Sequence, residues 1–430
     1  MPDPGRPGRR TAPHAQRQGA QTAAPRAGRP ARLRRALAEG PPLRIVEIRE
    51  ISVPLQGNVA NSVVSFADHT VSLVAVISDV RRNGRLLAGV AFNSIGRFAQ
   101  GGILRDRMIP RVLSADPDSL LAPDTGLLDP GRVLQRAMKD EKPGGHGDRA
   151  AAAAAVELAC WDLLAKYAGE PAYAVIGKTY GRAPESDGVP VYAAGGYYRP
   201  GDDIGQLTAE LRGYRDDGYP AVKMKIGGLP LADDLRRVEA AVEAMGGGAA
   251  VAVDANGRFG WTQAHAYAEA LAGHGLRWYE EAVDPLDFDL HRRLAEIYPG
   301  AVATGENLFS VQDVKNLLLF GGVRPDRDVF QMDAGLSYGL TEYVRMIELL
   351  EEHGFDRRSA YPHGGHLINL HIVAGLGLGG CEAYPGVFQP FGGYGPGCRL
   401  ADGRIRPADD PGFGLEAKPG LSAEIARLLD

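Results

Sequence analysis

Cysteine is scarce. The 430 residues hold three, Cys160, Cys381 and Cys398, and no two form a C-x-x-C pair. That excludes a disulfide framework and a cysteine zinc site, and it suits a reducing cytoplasm, the expected location. Long apolar runs are also missing. None approaches the roughly 18 to 20 residues a membrane span needs, so no membrane partner is expected. No G-x-G-x-x-G turn opens the first β-α unit, which weighs against an open dinucleotide-binding sheet. Lysine is absent from residues 1–42, which instead hold nine arginines against Asp3 and Glu39. Their balance is +7, so with a net charge of -5 the remainder carries -12. An acidic body argues against nucleic acid as a partner.

Residues 1–42 are Ala, Arg, Pro, Gly and Gln without apolar periodicity. They read as a disordered tail that cannot bury enough surface to fold. From Leu43 the texture changes. Residues 44–51, 71–77 and 86–92 are strand-like and predict an antiparallel meander, with a long loop over 54–70. The alanine-rich run from Ala150 to Ala168 predicts a helix, stopped by Gly169-Glu170-Pro171. This first region is taken as an α+β capping domain over 43–185.

From Val189 onward, eight apolar strand-like runs alternate with amphipathic stretches. They begin near Val191, Ala221, Ala250, Leu276, Ala301, Asp328, Ser359 and Gly380. Such alternation predicts a parallel α/β barrel over 186–400, followed by a C-terminal segment, 401–430.

Within Ala221-Val222-Lys223-Met224-Lys225-Ile226, strand alternation sends Lys223 and Lys225 to one face. Two ammonium groups on one buried face lower each other's pKa, and burial adds to this, so Lys225 reads as a base. Lys225, Asp254, Glu280, Glu306, Asp333 and His363 follow at intervals of 29, 26, 26, 27 and 30 residues. That interval is one β-α unit, and barrel active sites collect at the C-terminal ends of strands. Three converging carboxylates, Asp254, Glu280 and Glu306, repel one another unless a hard divalent cation joins them, and Mg²⁺ suits such oxygen ligands. Asp333, one unit before His363, is placed to orient its imidazole and raise its pKa.

Lys223-Met224-Lys225, Val253-Asp254-Ala255-Asn256, Tyr279-Glu280-Glu281, Gly305-Glu306-Asn307, Asp333 and His363 together resemble the enolase superfamily, mandelate racemase subgroup. The resemblance covers residues 43 to about 425. It implies a modified (β/α)₇β TIM-type barrel, an N-terminal α+β cap and a C-terminal segment returning to the cap. It also implies a homo-oligomer, Mg²⁺ and a small-molecule carboxylate substrate. Residues 92–102, Asp140–Gly147, Ala193–Tyr198 and Tyr361–His366 are most similar to the D-tartrate dehydratase family. The reaction implied is abstraction of the proton α to a carboxylate by Lys225. The metal stabilises the enediolate, and His363 then assists loss of the β-hydroxyl to give a 2-keto acid. That use of a Lys or His base with Mg²⁺ is a known example of this superfamily rather than a deduction from this chain. A racemase or epimerase on the same site is the alternative. Lys142, Asn256, Asn307, Glu382, Asn93 and Ile95 are the expected substrate contacts. Ile95 stands where that family has an asparagine.

Overall fold

The computed structural model describes residues 41–57, 59–183, 187–201 and 203–430. The basic tail lies, but for its last two residues, outside them. No helix among the described residues is long and apolar enough to cross a membrane.

Three antiparallel strands form the first sheet, in the order β1 (Ile45–Pro54), β2 (Thr70–Arg82) and β3 (Arg85–Phe92). The helix Asp148–Ala168 lies across this sheet, with every residue from Ala150 to Ala165 buried. Alanine makes that approach possible, and so does Gly89 in β3: a Cβ there would sit 2.1 Å from the Ala159 carbonyl oxygen. Gly169, left-handed at φ 69°, ends the helix.

The second sheet runs parallel from β4 (Val189–Ala194) through β5 (Val222–Lys225), β6 (Val251–Asp254), β7 (Tyr279–Glu280), β8 (Val302–Thr304) and β9 (Val329–Phe330). It closes where β10 (Cys381–Ala383) pairs in parallel with β4. The seventh run, expected as a strand over 359–363, is not regular. A short 3₁₀ turn, Arg357–Ser359, precedes one parallel bridge, Phe330 to Ala360. Tyr361 N and His363 N then donate to the carbonyls of Phe330 and Gln331, so the segment still runs beside β9.

A hairpin, β11 (Arg399–Ala401) and β12 (Arg404–Arg406), adds antiparallel to β4. The last helix, Leu421–Leu429, packs on β1 and β2. Arg49 donates to its final carbonyls, Leu428 and Leu429. Residues 59–69 of the connection between β1 and β2 lie over the barrel mouth, where Arg258 donates to the Ser62 carbonyl.

Candidate active site

Barrel strands are buried on both faces, so alternation divides helix-facing from lumen-facing residues. In β5, Val222 and Met224 join the apolar layer under the helices, and Lys223 and Lys225 face the lumen. Register pairs Lys225 with Asp254, and Asp254 with Glu280, so the three sit at one height. Glu306 lies two residues beyond β8. Gly305 turns the chain there at φ 130°, and a Cβ on it would sit 2.9 Å from Gln331 N. Only glycine permits that turn.

Asp254, Glu280 and Glu306 each offer a carboxylate oxygen within 4.8 Å of the others. Asp254 and Glu280 are fully buried. Burial and then the nearby Asp254 charge push Glu280 up to about 8. Burial and Glu306 push Glu281 well above its ordinary range as well. Excess negative charge in a buried site, presented as hard oxygen donors, fits a divalent cation.

The lysines enter this layer differently from expectation. Lys225 Nζ lies 2.5 Å from Asp254 Oδ2. Lys223 Nζ lies 2.6 Å from Glu280 Oε1, 2.9 Å from Glu382 Oε1 and 3.4 Å from Asp254 Oδ2. Burial pulls the Lys225 pKa down and Lys223 adds to that, but Asp254, Tyr197 and Glu306 together outweigh both, and the ammonium is held above its usual value. The expected depression of Lys225 is therefore reversed, with Asp254 on the adjacent strand the largest of the raising influences.

His363 faces the same cavity. Its Nδ1 lies 3.3 Å from Asp333 Oδ2, and its Nε2 lies 3.1 Å from the Tyr384 hydroxyl and 3.7 Å from Glu306 Oε2. Burial opposes the charged ring, but Glu306, Asp333 and Glu382 raise it to about 9. Asp333 is itself fixed by the Gly335 N–H. His366, three residues on, is no ligand. It caps the helix Leu367–Leu376, its Nε2 lies 3.0 Å from Ser94 Oγ, and burial lowers it to about 4.

A cavity of about 110 Å³ joins these groups. Lys223, Lys225, Asn256, Glu306, Asn307, Glu382 and His363 line its polar side. Val63, Val64, Phe66, Ile95, Leu336 and Phe388 supply its apolar lining. Asn256 supports Asp254 through its N–H at 2.8 Å and its amide at 3.3 Å. Asn307 holds both Glu281 oxygens and accepts from Arg97. Glu382 accepts from Gly364 N.

Two expected substrate contacts are corrected. Lys142 is exposed and does not line the cavity; its carbonyl accepts from Arg149. Asn93 is fully buried, and its amide is consumed by Ser72 N and by the carbonyls of Ser94 and Arg97. It shapes the turn that presents Ile95. Three residues were given no role from the sequence: Tyr384, Glu281 and Tyr197, whose ring lies 5.6 Å from Lys225 Nζ. For Tyr384 the signal was present, since it follows Glu382 by two and alternation gives both the same face.

A closed parallel barrel with a carboxylate triad, two lumen lysines and a carboxylate-backed histidine defines an enolase-type barrel enzyme. Residues 206–421, just over half of the chain, match the family described as enolase C-terminal domain-like. The chain belongs to that family, in its mandelate racemase-like branch. It is 27% identical to the L-talarate/galactarate dehydratase of Salmonella typhimurium LT2 over 344 residues, 79% of each chain. It is 26% identical to the arabinonate dehydratase of Saccharolobus solfataricus over 290 residues, 65% of this chain and 74% of that one. Its fold matches the solved L-talarate dehydratase from Polaromonas sp. JS666, complexed with Mg and L-glucarate. That match has a TM-score of 0.71 at 22% identity and covers 89% of this chain and 96% of the other.

Proposed function

We propose that the protein is a Mg²⁺-dependent dehydratase of a small hydroxy acid of tartrate or acid-sugar type. The observation that carries this is one cavity lined by Lys225, Glu306 and His363, with Asp254 and Glu280 completing the carboxylate triad behind it. The dehydratases among its relatives support the reaction class.

Asp254, Glu280 and Glu306 would hold the ion. When bound, Mg²⁺ supplies positive charge against the substrate carboxylate as its negative charge grows. Lys225 takes the proton from the carbon next to that carboxylate. Asp254 is shared between two tasks. Once its charge is engaged elsewhere, the largest influence raising Lys225 is gone, and burial and Lys223 both favour the neutral amine a base needs. Lys223 is pinned by Glu280 and Glu382 and acts through its charge. Asp333 fixes the Nδ1 side of His363, so Nε2 is the nitrogen that supplies the proton needed for loss of the β-hydroxyl.

The test is a screen of tartrate stereoisomers and five- and six-carbon acid sugars, with Mg²⁺, for 2-keto acid formation. A 2-keto product from at least one is expected. Inversion at the α-carbon without loss of water would favour a racemase instead, and no reaction at all would sink both.

A further inference from the structure

His363 Nε2 does not open freely onto the cavity. The Tyr384 hydroxyl stands 3.1 Å from it and itself lines the cavity wall. Among the described residues, His363 is the only hydrogen-bond partner of that hydroxyl. The position is rigid. Tyr384 is 3% exposed, and its ring packs edge-on against Phe388 at 4.9 Å. Gly365, two residues after His363, lies so close to β10 that a Cβ would meet Tyr384 N at 2.5 Å. The other group near Nε2 is Glu306 Oε2, at 3.7 Å, beyond hydrogen-bond reach and already one of the carboxylate triad.

We propose that Tyr384 is a catalytic residue, a hydroxyl that passes the His363 proton to the departing group. This rests on the dehydratase reading above. With Nδ1 turned to Asp333, an imidazolium has one remaining N–H, on Nε2, and it points at the Tyr384 oxygen. That N–H occupies a lone pair and leaves the phenolic O–H free to turn into the cavity. As the substrate Cβ–O bond breaks, its electron pair leaves with the oxygen and the phenolic proton joins it to form water. The electron pair left by the α-proton becomes the Cα=Cβ bond. The Nε2 proton moves to the phenolic oxygen, so tyrosine is restored and the imidazole ends neutral. No oxidant or further reactant is needed.

The relay separates the two halves of the reaction. Tyr384→Phe should leave Lys225 able to exchange the α-proton and should impair only departure of a poor leaving group. The probes are the tartrate stereoisomers and 3-fluoromalate. Loss of water from the first and of HF from the second both give oxaloacetate, and fluoride needs far less help from an acid. With Mg²⁺ and the full-length protein, Tyr384→Phe should lose about 10²-fold in kcat on tartrate, the size of one general acid. KM should change little. α-Proton exchange in D₂O should persist, and the kcat on 3-fluoromalate should stay within about threefold of wild type. A kcat on tartrate within threefold of wild type would overturn the relay. So would loss of exchange in step with turnover, which would mark Tyr384 as a structural support. If Tyr384→Phe melts well below wild type, 3-fluorotyrosine at 384 keeps ring and hydroxyl. Its kcat should then differ from wild type on tartrate and not on 3-fluoromalate, and equal effects on both would overturn the relay. A wild type that forms no oxaloacetate from any tartrate, while dehydrating no other acid in the screen, would overturn the dehydratase reading and the relay with it.

Discussion

Lys225 Nζ and Asp254 Oδ2 are 2.5 Å apart, so the proposed base rests on a proposed metal ligand. The pair comes from adjacent strands in register. One carboxylate oxygen cannot serve an ammonium and a cation equally well. Occupation of the triad and protonation of Lys225 are therefore opposed.

The first prediction follows from that opposition. Lys225→Ala removes the competing charge and should bind Mg²⁺ about tenfold more tightly than wild type, or about 1.4 kcal/mol, by calorimetry. Asp254→Asn should bind it far more weakly and should lose the rise in melting temperature that Mg²⁺ gives the wild type. Equal Mg²⁺ affinity in Lys225→Ala and wild type would show that the pair does not compete.

The second concerns the two ends of the cavity. Lys225→Ala should abolish both α-proton exchange and dehydration. His363→Asn should abolish dehydration, by a thousandfold or more, and keep exchange. Both should melt near the wild-type temperature. The split is read by proton NMR in D₂O beside a keto-acid assay. Exchange that survives in Lys225→Ala would move the base elsewhere.

Much of the site is legible from spacing, because the β-α unit has nearly constant length and its strand ends converge. The carboxylates of Asp254, Glu280 and Glu306 come within 4.8 Å of one another at that interval. Spacing says nothing of partners, and the misreadings lie there. Two lysines on one face suggested mutual pKa depression, but Asp254 reaches Lys225 from the next strand and Glu280 reaches Lys223 from the one beyond it. Asn93 and Lys142 have residue types suited to substrate, but one amide is spent on backbone and the other side chain points to solvent. The segment before His363 has strand composition, yet a 3₁₀ turn and Pro362 leave it a single ladder bridge.

A third prediction concerns acid stability. His371 is buried, and its Nδ1 accepts from Tyr173 N at 3.2 Å. Burial lowers it to about 3, with Asp409 opposing weakly. Its folded pKa lies below the unfolded value of about 6.5, so the unfolded chain binds the extra proton between these values. Stability is then full above about 6.5 and falls as pH drops below it. From pH 6.5 to 5.0 the loss is about 2 kcal/mol, at 1.36 kcal/mol per unit. Urea unfolding at pH 7.5 and 5.0 should show His371→Gln losing less stability than wild type by about that amount. An unchanged pH dependence would mean that His371 does not contribute.

The last prediction concerns Ile95. It is 1% exposed and forms part of the apolar wall with Val63, Val64, Phe66, Leu336 and Phe388. A tartrate carries polar groups on all four carbons, and a site that cannot pair them discriminates strongly. Where Ile95 meets such a group, one hydrogen bond is lost, on the order of 1 to 3 kcal/mol. That is roughly a ten- to hundredfold loss in kcat/KM for D-tartrate against an acid with fewer hydroxyls on that side. Ile95→Asn should recover part of it, because the backbone turn is held by Asn93 and not by residue 95. The new amide has little room, so a lower melting temperature should accompany the gain. Measuring kcat/KM for D-tartrate in both forms decides the matter. A wild type already efficient on D-tartrate, and not improved by Ile95→Asn, would show that the apolar wall does not face the substrate hydroxyls.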